Sequence, residues 1–189
     1  MTDTQSLDAL FSPTVVGSLR LRNRIMLPPH GLPIGDLWGS DEQARANVAY
    51  WASRAQDGAA WIGGITGFVE PQLAPGFLPT GVGARVKGIF RQPQFRARAG
   101  MYADGIHEAG AVATAQLVMQ AGKPFAPSAV LPNYTDNTVP RVFTTDEIRW
   151  LVDEYAYSAA EAQAAGLDGV ELHANHEVIK SCSMSSDRK

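Results

Sequence analysis

Two histidines three residues apart close the run Gly166-Leu-Asp-Gly-Val-Glu-Leu-His173-Ala-Asn-His176. Imidazoles at that spacing can donate to an oxygen on which negative charge grows, move a proton, or bind a metal. Alternation along an extended strand places Glu171 on the same face as His173, which admits a metal hydrolase built on Glu171, His173 and His176. No Asp or His cluster at another strand end completes a coordination sphere, so no metal is expected. A second candidate is Gln116, an amide near the end of the apolar run from Ala111 to Met119, able both to donate and to accept. Alone, each is as readily a structural polar group as a working one. The elements that carry them decide between the two readings.

Four apolar runs read as strands: Arg24-Ile-Met-Leu27, closed by Pro28-Pro29; Ala59-Ala-Trp-Ile62, running into Gly63-Gly64-Ile-Thr66-Gly67; Ala111 to Met119; and Leu167 to Leu172. Between them lie three helical patterns. Ser40 with Gln43 and Thr144 with Glu147 form capping boxes, and the stripes that follow end at Gly58 and Gly166. The third helix spans 94–109, with Gly100 and Gly105 each costing about 1 kcal/mol relative to alanine. No hairpin signal is read, and residues 121–142 read as a long irregular connection. The order β-α-β-α-β-α-β predicts an α/β fold with parallel strands and right-handed crossovers. Clustered polar residues at the C-terminal ends of such strands are how a (β/α) barrel presents a site.

Composition narrows the function classes. The net charge of -3 is spread without a basic block, which disfavours nucleic acid as a partner. Cys182 is the only cysteine, which excludes an intrachain disulfide and an iron–sulfur cluster built from this stretch and points to a reducing compartment. The first residues are polar and acidic, unlike a secretory signal, and the most apolar window, 58–69, is shorter than the roughly 18 residues that span a bilayer. A cytoplasmic protein without membrane association is expected. Trp51, Trp61 and Trp150 read as packing aromatics, and Arg91, Arg96 and Arg98 as a solvated helix face.

Several motifs in order resemble the N-terminal half of the Old Yellow Enzyme and NADH:flavin oxidoreductase family. They are Leu21-Arg-Asn-Arg-Ile25 leading to Pro28-Pro29, Ala115-Gln116-Leu117, Pro140-Arg-x-x-Thr144-Thr-x-Glu147-Ile, and Gly166-x-Asp-Gly-Val-Glu-x-His173. The resemblance covers about residues 10–176 and implies the first four β/α units of a partial (β/α)8 TIM barrel. It implies FMN as cofactor, NAD(P)H as reductant, and hydride transfer to an activated C=C bond of a small molecule. It further implies that Pro28, Pro29, His30, Thr66 and Gln116 contact the flavin. His173 and His176 would bind the electron-withdrawing oxygen of the substrate and take part in catalysis.

The pattern breaks after His176, where Val178 stands at the position of the family's usual tyrosine proton donor. Residues 177–189 resemble nothing in the family and are read as a tail outside the half-barrel of residues 1–176. A complete barrel takes about 250 residues, and its phosphate site is typically built from the loops after strands seven and eight. The expectation is therefore a truncated flavin oxidoreductase. The alternative is a non-catalytic half-barrel, with a homo-oligomer or a complementing C-terminal half-barrel as partner.

Overall fold

The computed structural model of the protein describes residues 7–31, 34–69, 88–119, 125–126 and 141–173. It opens with a short helix α1 (Asp8–Phe11) and a hairpin of β1 (Thr14–Val16) and β2 (Leu19–Leu21), paired antiparallel with Thr14 opposite Leu21. The hairpin corrects the sequence reading. Its signal is the two-residue link Gly17-Ser18, in which Gly17 adopts φ +59°, a conformation that glycine takes without a Cβ penalty. The remaining elements are β3 (Met26–Leu27), α2 (Asp41–Gln56), β4 (Trp61–Phe68), α3 (Phe95–Glu108), β5 (Val112–Val118), β6 (Phe125–Ala126), β7 (Arg141–Val142), α4 (Thr145–Ala164) and β8 (Gly169–Leu172). A single 3-10 turn, Ile89–Arg91, precedes α3.

The four expected strands form one sheet in the order β3-β4-β5-β8. Met26 pairs with Trp61 and Leu27 with Ile62 in parallel register. Bonds from Val112 N–H to Ala60 O and from Val69 N–H to Val118 O, both 2.9 Å, rise along β4 and β5 in the same direction. Asp168 N–H to Ala113 O (2.9 Å) and His173 N–H to Leu117 O (3.0 Å) do the same for β5 and β8. Only parallel strands give that pattern. The fold is α/β, consistent with four β/α units of a TIM barrel. The strands β6 and β7 also pair in parallel, so the stretch read as irregular contributes a small two-stranded sheet.

Both capping boxes form. Ser40 Oγ accepts from Gln43 N–H while Gln43 Oε1 accepts from Ser40 N–H, at 3.3 and 3.0 Å. In the second, Glu147 accepts from Thr144 N–H at 2.8 Å and donates its own N–H to Thr144 Oγ1 at 3.2 Å. Arg141 grips the same carboxylate with both terminal nitrogens. The Arg141 bond and the Thr144 N–H lower the Glu147 pKa from 4.5 to about 2. Since the folded value is depressed, the contribution is present above the unfolded value and lost as pH falls from about 4.5 through about 2. Carboxyl-detected NMR is expected to find a Glu147 midpoint near 2. A midpoint near 4.5 would mean that this cap does not persist in solution.

The chain forms two compact units, one of Met1–Thr66, Pro93–Gln116 and Glu161–Glu171, the other of Gly67–Gln92, Leu117–Ala160 and Leu172–Lys189. In the first, α2 and α3 pack on one face of the sheet and bury Ala44, Trp51, Ile62, Phe95, Tyr102 and Ile106. Gly64 permits this approach, because a Cβ there would come 2.6 Å from the Trp51 ring and 2.8 Å from Tyr102 Oη. The Tyr102 hydroxyl accepts from Gly64 N–H at 2.7 Å and donates to Ile62 O at 3.0 Å. Burial pushes the Tyr102 phenol up, so it keeps the proton this bond needs.

At the N-terminal ends of the strands, three side chains of the sequence motifs act as pins. The Arg22 guanidinium donates to the carbonyls of Ala55, Ala59 and Ala109, reaching the C-terminal ends of both α2 and α3. Asn23 donates to Gly58 O at 2.8 Å and accepts from Ile25 N–H at 3.0 Å. Asp168 Oδ2 accepts from Ala113 N–H at 2.8 Å and lies 2.7 Å from His107 Nε2.

The three arginines read as a solvated face are instead engaged. Arg96 makes a two-pronged pair with Glu161, both bonds 2.7 Å, and Arg98 bonds Asp41 at 2.7 Å and Gly39 O at 3.1 Å. In the second unit, Arg91 makes bonds of 2.9 and 2.8 Å to Glu154, and its guanidinium carbon sits 4.0 Å from the Tyr157 ring centroid. That unit's core is Val69, Ile89, Phe90, Leu117, Met119 and Phe143.

Candidate functional site

Each described candidate lies late in its own strand or just past its end. Pro28, Pro29 and His30 follow β3, Thr66 lies late in β4, Gln116 is third from the end of β5, and His173 follows β8. His176 lies outside the described residues, as do Val178 and the tail 177–189.

In the first unit, Pro28 and Pro29 terminate β3 after only two paired residues, as residues without an N–H must. Pro29 is half-buried and packs toward Gly63, where a Cβ would meet its Cδ and Cγ at 3.0 and 3.2 Å. His30 turns toward α2. Its ring centroid is 4.8 Å from that of Trp51, Nδ1 donates to Pro28 O at 3.1 Å, and Nε2 lies 3.1 Å from Tyr50 Oη. Thr66 is exposed. Gln116 is half-buried, and its amide has no hydrogen-bond partner among the described residues. In the second unit, His173 is half-buried and fixed through its backbone, whose N–H donates to Leu117 O.

Sequence reasoning missed a polar chain on the face of the first unit's sheet opposite α2 and α3. Trp61 Nε1–H donates to Thr114 Oγ1 at 2.7 Å, and Thr114 Oγ1–H donates to Glu171 Oε1 at 2.6 Å. Glu171 Oε1 also fills the space over Gly63, 2.6 Å from where its Cβ would stand. The signal was present as a threonine two residues before Gln116 on the same strand face and a glutamate at an inward position of the next strand. Pairing across strands was what linked them. Among the described residues no group of three or more His, Cys, Asp or Glu side chains could hold a metal ion, and no helix is long and apolar enough to cross a membrane.

The half-buried Gln116 amide can both donate and accept. Known proteins carry the same arrangement of elements. The chain is similar to an old yellow enzyme homologue of Zymomonas mobilis, with a TM-score of 0.69 at 26% identity over 90% of this chain and 50% of that one. It is 31% identical over 183 residues to a putative 12-oxophytodienoate reductase 2 of Oryza sativa subsp. japonica, covering 88% of this chain and 45% of that protein. An NADH oxidase of Thermoanaerobacter brockii is 28% identical over 179 residues, 88% of this chain and 26% of that protein. The chain thus spans half or less of the length of these relatives. The model of the NADH:flavin oxidoreductase / NADH oxidase family matches residues 9–179, and the chain belongs to that family.

Proposed function

We propose that this chain forms the first four β/α units of an FMN-dependent oxidoreductase of the Old Yellow Enzyme type, acting on a small molecule with an activated C=C bond. The observation that carries the reading is the Gln116 amide, half-buried, unpartnered among the described residues, and carried on the sheet face opposite the helices. The donor set fits the flavin. Gln116 can both donate to and accept from the pyrimidine edge of an isoalloxazine, while Pro28, Pro29 and Thr66 offer the turn and strand end beside it. His30, turned toward α2, would support the Pro28–Pro29 turn through its bond to Pro28 O. When bound, FMN would supply the hydride-transfer chemistry between NAD(P)H and the C=C bond.

The chain's own contribution is binding and orientation. His173 and His176 would donate N–H groups to the substrate oxygen, where negative charge grows as hydride arrives. A tyrosine proton donor has no counterpart at Val178, so the proton for the second carbon must come from elsewhere. Residues 1–176 are read as the half-barrel and 177–189 as a tail outside it. The reading places the protein in the cytoplasm and leaves the remaining barrel units to further chain or to a complementing C-terminal half-barrel. A homo-oligomer or a non-catalytic half-barrel is the competing arrangement.

The test is an FMN titration of the purified chain, read by the flavin's visible spectrum and fluorescence before and after desalting. Weak, saturable binding is expected from the Gln116 and proline-turn contacts alone, and it should be lost on desalting. Gln116→Leu should weaken that binding about tenfold, equivalent to one hydrogen bond of roughly 1.4 kcal/mol. Absence of binding at any FMN concentration, or indifference to Gln116→Leu, would refute the site. Retention at full occupancy together with NAD(P)H oxidation by an enone would show that 189 residues suffice.

A further inference from the structure

Interior layers of parallel barrels are filled mainly by branched aliphatic side chains, and a carboxylate taken out of water costs free energy unless it is bonded. The layer of Trp61, Thr114 and Glu171 departs from that rule. Its hydrogen-bond directions are fixed by chemistry. The Trp61 indole can only donate, so Thr114 Oγ1 accepts there and must send its single proton to Glu171 Oε1. Thr114 is 1% exposed, so water does not offer it another partner. The carboxylate then lies over Gly63, with Pro29 against the same point. One side chain from β8 thereby bonds to β5 and packs on β4, over the same Gly63 that the turn after β3 also approaches. Gln116 stands two residues beyond Thr114 on the same face of β5.

We propose that Glu171 is a positioning residue for the candidate site: bonded to Thr114 and seated over Gly63 beside Pro29, it holds the Gln116 strand and the Pro29 turn in one fixed relation. The inference rests on the reading of Gln116 as a site residue. The glycine at 63 is then part of the device, since any side chain there would displace the carboxylate.

The experiment is NMR of the full chain without ligand, comparing Glu171→Gln and Thr114→Ser with Glu171→Leu and Thr114→Val. Two signals are followed: hydrogen exchange of the Trp61 indole N–H, and the side-chain NH2 pair of Gln116. The glutamine and serine variants keep an oxygen at the required point and should reproduce the parent spectrum at both. The leucine and valine variants should speed Trp61 exchange about tenfold, the scale of one hydrogen bond, and broaden or double the Gln116 pair. A merely structural role would lower the melting temperature and leave the Gln116 signals single and unshifted, which overturns the proposal. Equal damage from Glu171→Gln and Glu171→Leu also overturns it. Should Glu171→Leu fail to fold, the Thr114→Val and Thr114→Ser pair decides by the same signals. Failure of the FMN titration would remove the reading of Gln116 while leaving these outcomes unchanged.

Discussion

Gly64→Val is expected to destabilise the protein by about 3–5 kcal/mol, a large share of the roughly 5–15 kcal/mol that holds a domain folded. Its first side-chain atom would stand 2.6 Å from the Trp51 ring and 2.8 Å from Tyr102 Oη, and both neighbours are buried. The strand cannot retreat, because β4 is bonded between β3 and β5. Overpacking of this kind costs about 1–3 kcal/mol. Displacing Tyr102 also strands Gly64 N–H and Ile62 O without their partner, which adds about 1–3 kcal/mol. Urea unfolding followed by circular dichroism measures the loss. Gly169→Ala is the control, since its Cβ would meet Thr114 Cγ2 at an ordinary 3.6 Å, and it should stay within about 1 kcal/mol of the parent. A Gly64→Val variant as stable as that control would contradict the packing described.

The second large effect is expected from Arg91→Met. Glu154 is 7% exposed and takes both of its charge-assisted bonds from a guanidinium that is itself 41% exposed. Removing one member of a buried pair costs about 3–5 kcal/mol, and partial solvent screening at Arg91 brings the expectation to about 2–3 kcal/mol. The double variant Arg91→Met/Glu154→Leu should recover most of that loss, because it removes the carboxylate that would otherwise be left without its counter-ion. Thermal and denaturant midpoints of the single and double variants give the comparison. A double variant no more stable than the single one would place the energy in Arg91 packing on Tyr157 rather than in the ion pair.

The sequence was informative wherever a local rule is strong. Capping boxes at Ser40 and Thr144 are short-range patterns, and both form. Four apolar runs separated by helices allowed few arrangements, and the sheet order follows their order in the chain. The hairpin was missed although Gly17-Ser18 signals it, because β1 and β2 span only three residues each and show no long alternation. Arg22, Asn23 and Asp168 could be recognised as motif letters, but their partners are carbonyl and N–H groups of the backbone, which no residue type reveals. In the sequence Glu171 invites comparison with its strand neighbour His173 as a metal ligand, an option set aside for want of further ligands. Its partner Thr114 is 57 residues away and looks in sequence like any strand-forming residue. His30 could be located at the turn, whereas its orientation toward Tyr50 and Trp51 depends on packing against α2.

The pins formed by Arg22, Asn23 and Asp168 all sit where the strands begin, away from the strand ends that carry Thr66 and Gln116. Inheritance can therefore act on the two ends separately. Descendants that keep these three residues keep the frame, and the loops and side chains at the opposite end are free to diverge without renegotiating the fold. A lineage built this way can change what it recognises by small steps, each made on a scaffold that is already secure.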